Sequence, residues 1–492
     1  MSLPALSLFA THGSGQRAEP DAGRARALYR SLLDERGEEA GRPDFFTLSA
    51  ARSFLHDRLA AVEERGSDLP RDLGRLGAWL DAEAAEVKSE WRTYLAARKD
   101  GASRRYFRNR SHALHTLRGI APTKLVDGAW LHGLLPHWRD ARLHGLLRTY
   151  LEELGDGRPA HHHVGLYQRL LAGAGCETID GLPDGCYVQG AIQLALAHNA
   201  ETFLPEIIGF NLGYEQLPLH LLVMSHELAE LGLDPTYFSL HVTIDNAGTG
   251  HARRALDAVL QNRSRFGSEA AFHRRLSAGY ALNALGHGTT GVIESFDADR
   301  ELVDMLARKA VQGADLHSDR CRIAGRTVNE WLSDPAAMGT FWQVLESAGW
   351  LQRGAEPRES RFWRLLEGDR APMFGVFDGY EQQLIEDWIR GDGEAPRRPV
   401  RRPAVDPTPA VPEGSPDDTV AQVVDRHVAA AAPSGTADVD LETRSLRDAL
   451  AAAESEAETM AALAAWMSPA RHPTPTGLLA TRIYADLLTR LR

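Results

Sequence analysis

Apolar positions recur at spacings of three and four along most of the chain. Residues 21–33 place Ala27, Leu28 and Leu32 on one stripe, and residues 54–62 continue it with Phe54, Leu55, Leu59 and Val62. That is the period of a helix with one buried face. Residues 83–99 are rich in Ala, Glu, Lys and Arg, as solvent-facing helices are. Residues 185–262 form the most apolar stretch, and helical periodicity resumes over 303–309, 328–332, 341–347 and 362–366. Alternation of apolar and polar residues, the mark of strands, is almost absent. The pattern predicts an all-α fold, a helical bundle with one main core.

At 492 residues the chain exceeds one ordinary domain. A helical N-terminal region is expected over 1–155 and the bundle over 156–390. A linker is expected over 391–440, where Pro399, Pro403, Pro407, Pro409, Pro412 and Pro416 cluster without aromatic residues. Ala-rich helical segments over 441–492 form an appendix, with helices at 442–465 and 478–491. The net charge of −12 makes a poor general nucleic-acid binder. No run of 18 apolar residues and no basic, apolar leader is present, which predicts a cytoplasmic protein with no membrane partner. Three cysteines build no disulfide framework and no Cys-x-x-Cys pair, whereas 20 histidines direct attention to metal or proton chemistry.

Residues 202–215 read as a buried helix that nevertheless carries Glu206 and Glu215. A buried carboxylate must be paired, neutralised or bound to a metal. Nine residues apart, the two face opposite ways, so one of them enters any given site. In residues 234–252, Asp234 before Pro235 makes an N-cap. His241 and Asp245 share a face, and His251 lies about 80° away but about 15 Å further along an unbroken helix. Gly248 and Gly250 could unwind the helix and draw His251 inward. His317, flanked by Asp315 and Asp319, is a third candidate, with Cys321 read as a buried thiol on its face. His161, His162 and His163 would point in three directions on a helix, so at most one could serve a given metal. The basic residues between Arg92 and Arg110 read as a solvated face or as an anion or partner site.

Other templates fail. No Glu-x-x-His exists, and His226-Glu227-Leu228-Ala229-Glu230 lacks the second histidine of a zincin, so it reads as a surface turn. The Gly286–Gly291 GxGxxG follows a helical run rather than a strand.

Residues 203–215, 237–246 and the trio Gly250-His251-Ala252 resemble the haem-oxygenase-like di-iron oxidases, the iron-containing redox enzymes. Ser360-Arg361-Phe362-Trp363 and residues 373–377 extend the likeness, which spans roughly 160–390. The resemblance implies a haem-oxygenase-like bundle without haem. It implies Fe(II), two ions, O2 as co-substrate, and a small amine, amino-acid-derived or peptide-borne substrate. It assigns metal-ligand roles to Glu215 on a first helix, His241, Asp245 and His251 on a second, and His317 on a third. Ala310 and Ala314 stand where the third helix should carry further ligands, so one ion or a weak second is an alternative. A catalytically reduced binding or scaffold protein and a zinc hydrolase are the competing readings. The C-terminal tail is the segment available to a protein or peptide partner, and a homodimer is left open.

Overall fold

The computed structural model describes residues 23–34, 43–244, 250–391, 393–400, 415, 418–431 and 441–490. The fold is all-α, with a single two-stranded hairpin (Arg322–Ile323 with Arg326–Thr327) among the described residues. In chain order the helices are α1 (Arg24–Leu33), α2 (Phe45–Glu63), α3 (Leu76–Lys99), α4 (Arg110–Lys124), α5 (His144–Glu153), α6 (His163–Gly173), α7 (Val188–Ala197), α8 (Ala200–Tyr214), α9 (Leu219–Glu230), α10 (Thr236–Ile244), α11 (His251–Asn262) and α12 (Glu269–Ala281). They continue with α13 (Thr289–Glu294), α14 (Ala298–Gly313), α15 (Val328–Leu332), α16 (Met338–Ser347), α17 (Gly379–Arg390), α18 (Val420–Ala431), α19 (Leu441–Ala452), α20 (Glu456–Trp466) and α21 (Pro475–Arg490). No helix among the described residues is long and apolar enough to cross a membrane.

Two hydrophobic cores organise these helices, not one. The first joins buried residues of α1, α2, α5, α7, α8, α11 and α12 with those of α18 to α21. The second joins α4, α6, α9 and α10 with α14 to α17. Helix α8 is buried almost all round, as its composition predicts, and Pro205 within it accompanies a break at Phe203 (φ −111°, ψ 25°). It crosses α12 in backbone contact: a Cβ on Gly209 would strike the Leu276 carbonyl, and one on Gly279 the Glu206 backbone.

The expected segmentation changes in three places. The boundary at 155/156 falls between Glu153 and His163, which lie 2.5 Å apart. The segment expected to be a linker contains α18, and its residues 394–399 run against the body, with Arg398 N–H donating to Glu230 O at 2.8 Å. The appendix is part of the first core: Leu463, Ile483 and Tyr484 are fully buried, and Tyr484 Oη donates to Leu135 O at 2.8 Å. Its expected helix at 442–465 is broken in two between α19 and α20.

Candidate metal centre

The meeting of α5 and α6 creates the site. After Glu153, residues Gly155, Asp156 and Gly157 adopt left-handed φ of 61°, 51° and 71°. A Cβ on Gly155 would lie 2.5 Å from the His161 backbone, so glycine is required for the chain to fold back this tightly. The reversal brings the histidine triplet over the end of α5. His161 is exposed. His162 caps α6, its Nδ1 accepting from Gly165 N at 3.0 Å. Its Nε2 lies 2.9 Å from His472 Nδ1, and burial pushes the His162 imidazole down to about 3, so both ring contacts are those of the neutral form. His163 alone turns inward.

Two buried groups of potential ligand atoms result, each with its atoms within 4.8 Å of one another. The first comprises Asp127, Glu153, His163 and His241, and the second Glu153, Glu215 and His251. Glu153 belongs to both. The ligand elements come from both cores: α5, the α8 terminus and α11 from the first, α6 and α10 from the second. The centre therefore sits at the seam between them.

In the first group, His241 Nδ1 donates to the Tyr237 carbonyl at 2.8 Å, which turns Nε2 toward Asp127 Oδ2 at 3.4 Å. A backbone acceptor on one nitrogen fixes the tautomer and leaves the other to accept a proton or a cation. His163 Nδ1 stands 2.5 Å from Glu153 Oε2, yet neither atom has hydrogen-bond geometry there, and His163 Nε2 has no hydrogen-bond partner among the described residues. Asp127 accepts from Tyr214 Oη at 2.6 Å and from Tyr237 Oη. Lys124 Nζ donates to Tyr214 Oη at 2.9 Å. Burial alone would raise the Asp127 carboxyl, but the Lys124 charge and the His241 contact outweigh it and bring it down to about 2. Burial likewise opposes ionisation of Glu153, and the His163 and His251 rings reverse it, holding that carboxyl well below the ordinary range.

In the second group, His251 opens α11 directly after Gly250. Its Nδ1 lies 2.9 Å from Glu215 Oε2 and 3.3 Å from Glu153 Oε1. Its Nε2 lies 2.9 Å from Glu152 Oε2, so consecutive glutamates flank one imidazole. Burial raises the Glu152 carboxyl, whereas His251, Arg254 and Arg148 together bring it down to about 2. Both ring nitrogens lie at hydrogen-bond distance from a carboxylate, Nδ1 from Glu215 and Nε2 from Glu152; with an ionised Glu152 accepting the Nε2 proton, Nδ1 would give its lone pair to a cation held by Glu153 and Glu215, the usual relation of an outer carboxylate to a metal-binding histidine.

The donor set fits a cation. Asp127, Glu153 and Glu215 place three carboxylates almost out of reach of water, with Lys124 reaching Asp127 alone, through the Tyr214 phenol. Buried charge of one sign demands a counter-charge. Imidazole and carboxylate without thiolate suit Fe(II), Mn(II) or Zn(II).

Of the residues singled out in the sequence, Glu215 and His251 come together, and His241 joins the neighbouring group. The axial distance expected to keep His241 and His251 from one ion is met by two groups in place of one. Asp245 lies outside the described residues. His317 joins neither group: α14 stops at Gly313, Asp315 takes φ 65°, and His317 sits in an exposed turn held by Asn329. Cys321 is exposed, not buried. Glu206 forms a bidentate pair with Arg275 at 2.6 Å through both oxygens. Glu227 is no surface residue but fully buried, accepting Tyr94 Oη at 2.8 Å and the backbone N–H groups of Arg105, Tyr106 and Phe107. Arg98 and Arg104 in the basic stretch pair with Glu230.

Asp127, Glu152 and Glu153 escaped the reading of the sequence, and His163 entered it only as one of a triplet of which at most one could serve a given metal. A signal existed for Glu153: it continues the buried stripe of Leu146 and Tyr150, where an acid has no ordinary place.

Residues 114–279 match the family model of iron-containing redox enzymes. The matched third of the chain begins within α4, ends within α12 and includes every residue of both groups. It starts earlier than the resemblance suggested and stops before His317, Ser360 and Phe374. Comparison with curated proteins and with solved structures finds no significant match.

Proposed function

We propose, with the match of residues 114–279 to iron-containing redox enzymes as the premise, that this chain is a di-iron oxidase. The observation that carries the reading is Glu153, one carboxylate placed to serve two adjacent His/carboxylate groups. Glu153, His163 and His241, with Asp127 beside them, would hold one ion; Glu153, Glu215 and His251 would hold the other. Bound there, iron would supply the reduction of O2 and the oxidation of an organic substrate, which the resemblance gives as a small amine, amino-acid-derived or peptide-borne molecule.

The chain's own groups have definable parts. Trp130, Phe210 and Tyr214 pack ring on ring, with Trp130 and Tyr214 centroids 4.5 Å apart, and Tyr167, Tyr237 and Phe238 pack on the other flank. These walls exclude water from a centre that handles O2. Lys124, Tyr214, Asp127 and Tyr237 form a continuous hydrogen-bonded line into the first group, with protons held at the Tyr214 and Tyr237 oxygens against an ionised Asp127. In this reading the ligands lacking at Ala310 and Ala314 are supplied from earlier in the chain, by Glu153 and His163.

The test is anaerobic loading with Fe(II) followed by an O2 pulse. Oxygen uptake in proportion to bound iron, with a transient in visible absorbance, is expected, and His251→Ala should lack both. Ester cleavage that depends on zinc and proceeds without O2 would instead make the protein a hydrolase. Iron binding well below one ion per chain at saturating Fe(II) would make it a scaffold.

A further inference from the structure

The start of α6 faces the C-terminal helices, and one imidazole of those helices meets it there. His472 lies in the turn between α20 and α21, fully buried, with its backbone N–H donating to Ser468 O at 2.9 Å. Gly165 N–H donates to His162 Nδ1 at 3.0 Å, so the His162 proton sits on Nε2, 2.9 Å from His472 Nδ1. His472 Nδ1 accepts that proton. Its own proton is then on Nε2, which has no hydrogen-bond partner among the described residues. This chain of donors and acceptors closes only while His472 is neutral. A proton added at Nδ1 would set two N–H groups against each other at 2.9 Å.

The surroundings do not favour a charge on that ring. The groups that act on His472 are His162, from α6, and His132, from residues 129–137, and a proton on either would repel one on His472. His132 is held neutral by burial, which pushes it down to about 4, and its Nε2 donates to Ala464 O at 3.2 Å. Arg471, beside His472 in the turn, lies over the Trp466 ring at 4.9 Å, and Arg482 of α21 donates to Gly157 O at 3.0 Å. No carboxylate is among the groups acting on His472; the influence of Glu153 falls on the His162 ring, where the Arg169 charge opposes it. Burial first, then His162 and His132, holds the His472 imidazole well below its ordinary value of 6.5. A group so held contributes stability above about pH 6.5 that is lost as the pH falls below it.

We infer that His472 is a pH-sensitive latch. With the ring neutral, the α20–α21 turn is fastened to the start of α6; with the ring protonated in mildly acidic solution, that turn opens. A cavity of about 260 Å3, lined in part by Pro159, His162, Pro473 and Leu478, brings water beside the pair. The turn is joined to the reversal that follows α5, because a Cβ on Gly157 would lie 2.3 Å from Leu478 O. Opening the latch therefore slackens the backbone between Glu153 and His163. The deeper contacts of Leu463, Ile483 and Tyr484 keep α20 and α21 seated meanwhile. The inference needs no metal.

The test is hydrogen–deuterium exchange of the full-length protein as purified, read in peptides covering 155–166 and 468–478 and corrected for the intrinsic effect of pH. Between about pH 7.5 and about pH 5.5 both peptides should lose protection at least about tenfold, the shift one imidazole of ordinary affinity supplies one unit below its midpoint. Peptides of α8 and α12 should keep theirs. In His472→Asn the amide oxygen can still accept the His162 proton but does not titrate, so the loss should be about tenfold smaller. His226→Asn, at a half-exposed histidine paired with Glu230, should leave the response unchanged. An equal loss in the unaltered chain and in His472→Asn, or no loss in the unaltered chain, would overturn the inference. Should His472→Asn not fold, exchange at His472 Cε1 in the unaltered chain reports the titration of the ring itself. A ring that takes up its proton only as the turn opens supports the latch, and one that does so while the turn stays protected contradicts it.

Discussion

Glu153→Ala is expected to abolish iron binding at both groups, lowering affinity by more than about 100-fold. Loss of a mere outer-sphere partner typically costs 10–100-fold, and Glu153 supplies a ligand atom to each group. Among the described residues no other has that property: Asp127→Ala or Glu215→Ala removes a donor from one group only. The single-group variants should therefore retain part of the iron, and the Glu153 variant almost none. Far-ultraviolet circular dichroism should show unchanged helicity, because the side chain contributes little apolar burial. Iron content measured after anaerobic loading decides the matter, and a Glu153→Ala protein that still binds as much iron as Glu215→Ala would refute the shared role.

Deleting residues 418–492 should prevent the remaining chain from folding. Met460, Leu463, Met467, Leu479, Ile483, Tyr484, Leu487 and Leu488 are all at least 97% buried. Burying such a side chain contributes about 1.5–3 kcal/mol, so the eight together match or exceed the roughly 5–15 kcal/mol that stabilises a typical fold. The loss would also reach the centre. Tyr150, one turn before Glu153, donates to Met467 O at 2.5 Å, Arg482 Nη1 donates to Gly157 O at 3.0 Å, and His472 meets His162. Those contacts hold the reversal that sets Glu153 against His163. The milder Leu463→Ala should fold but lose about 2–5 kcal/mol in denaturant titration. A truncated chain that is soluble, fully helical and binds iron like the intact protein would contradict this account.

The same residues show what a sequence discloses. Periodicity alone identifies the helical class, and the apolar run 203–215 marks Glu206 and Glu215 as acids out of place, since a buried carboxylate conflicts with its surroundings at any level of description; the family resemblance then selects Glu215. His241 and His251 were visible for a similar reason. Glu153 was not, because its stripe is short and the charged Arg148, Glu152 and Asp156 make its neighbourhood look like a solvated helix end. His163 was hidden by adjacency. Three consecutive histidines cannot all face one ion, and nothing local says which does; the left-handed turn at Gly155–Gly157 and the capping role of His162 decide it. His317 misled because flanking aspartates imitate the outer partners of a ligand, whereas α14 has already ended before it. The tail looked detachable because Ala-rich helices joined by prolines are often linkers. Its apolar stripe finds its cover within this chain.

In the proposed oxidase two ions would lie side by side at the seam of the two cores, with Glu153 between them. Anomalous diffraction at the iron edge, from crystals of protein loaded with Fe(II) without oxygen, tests it most directly. Two peaks are expected to flank the Glu153 carboxylate, one toward His163 and His241 and the other toward Glu215 and His251. A single peak, or iron found away from Glu153, would contradict it.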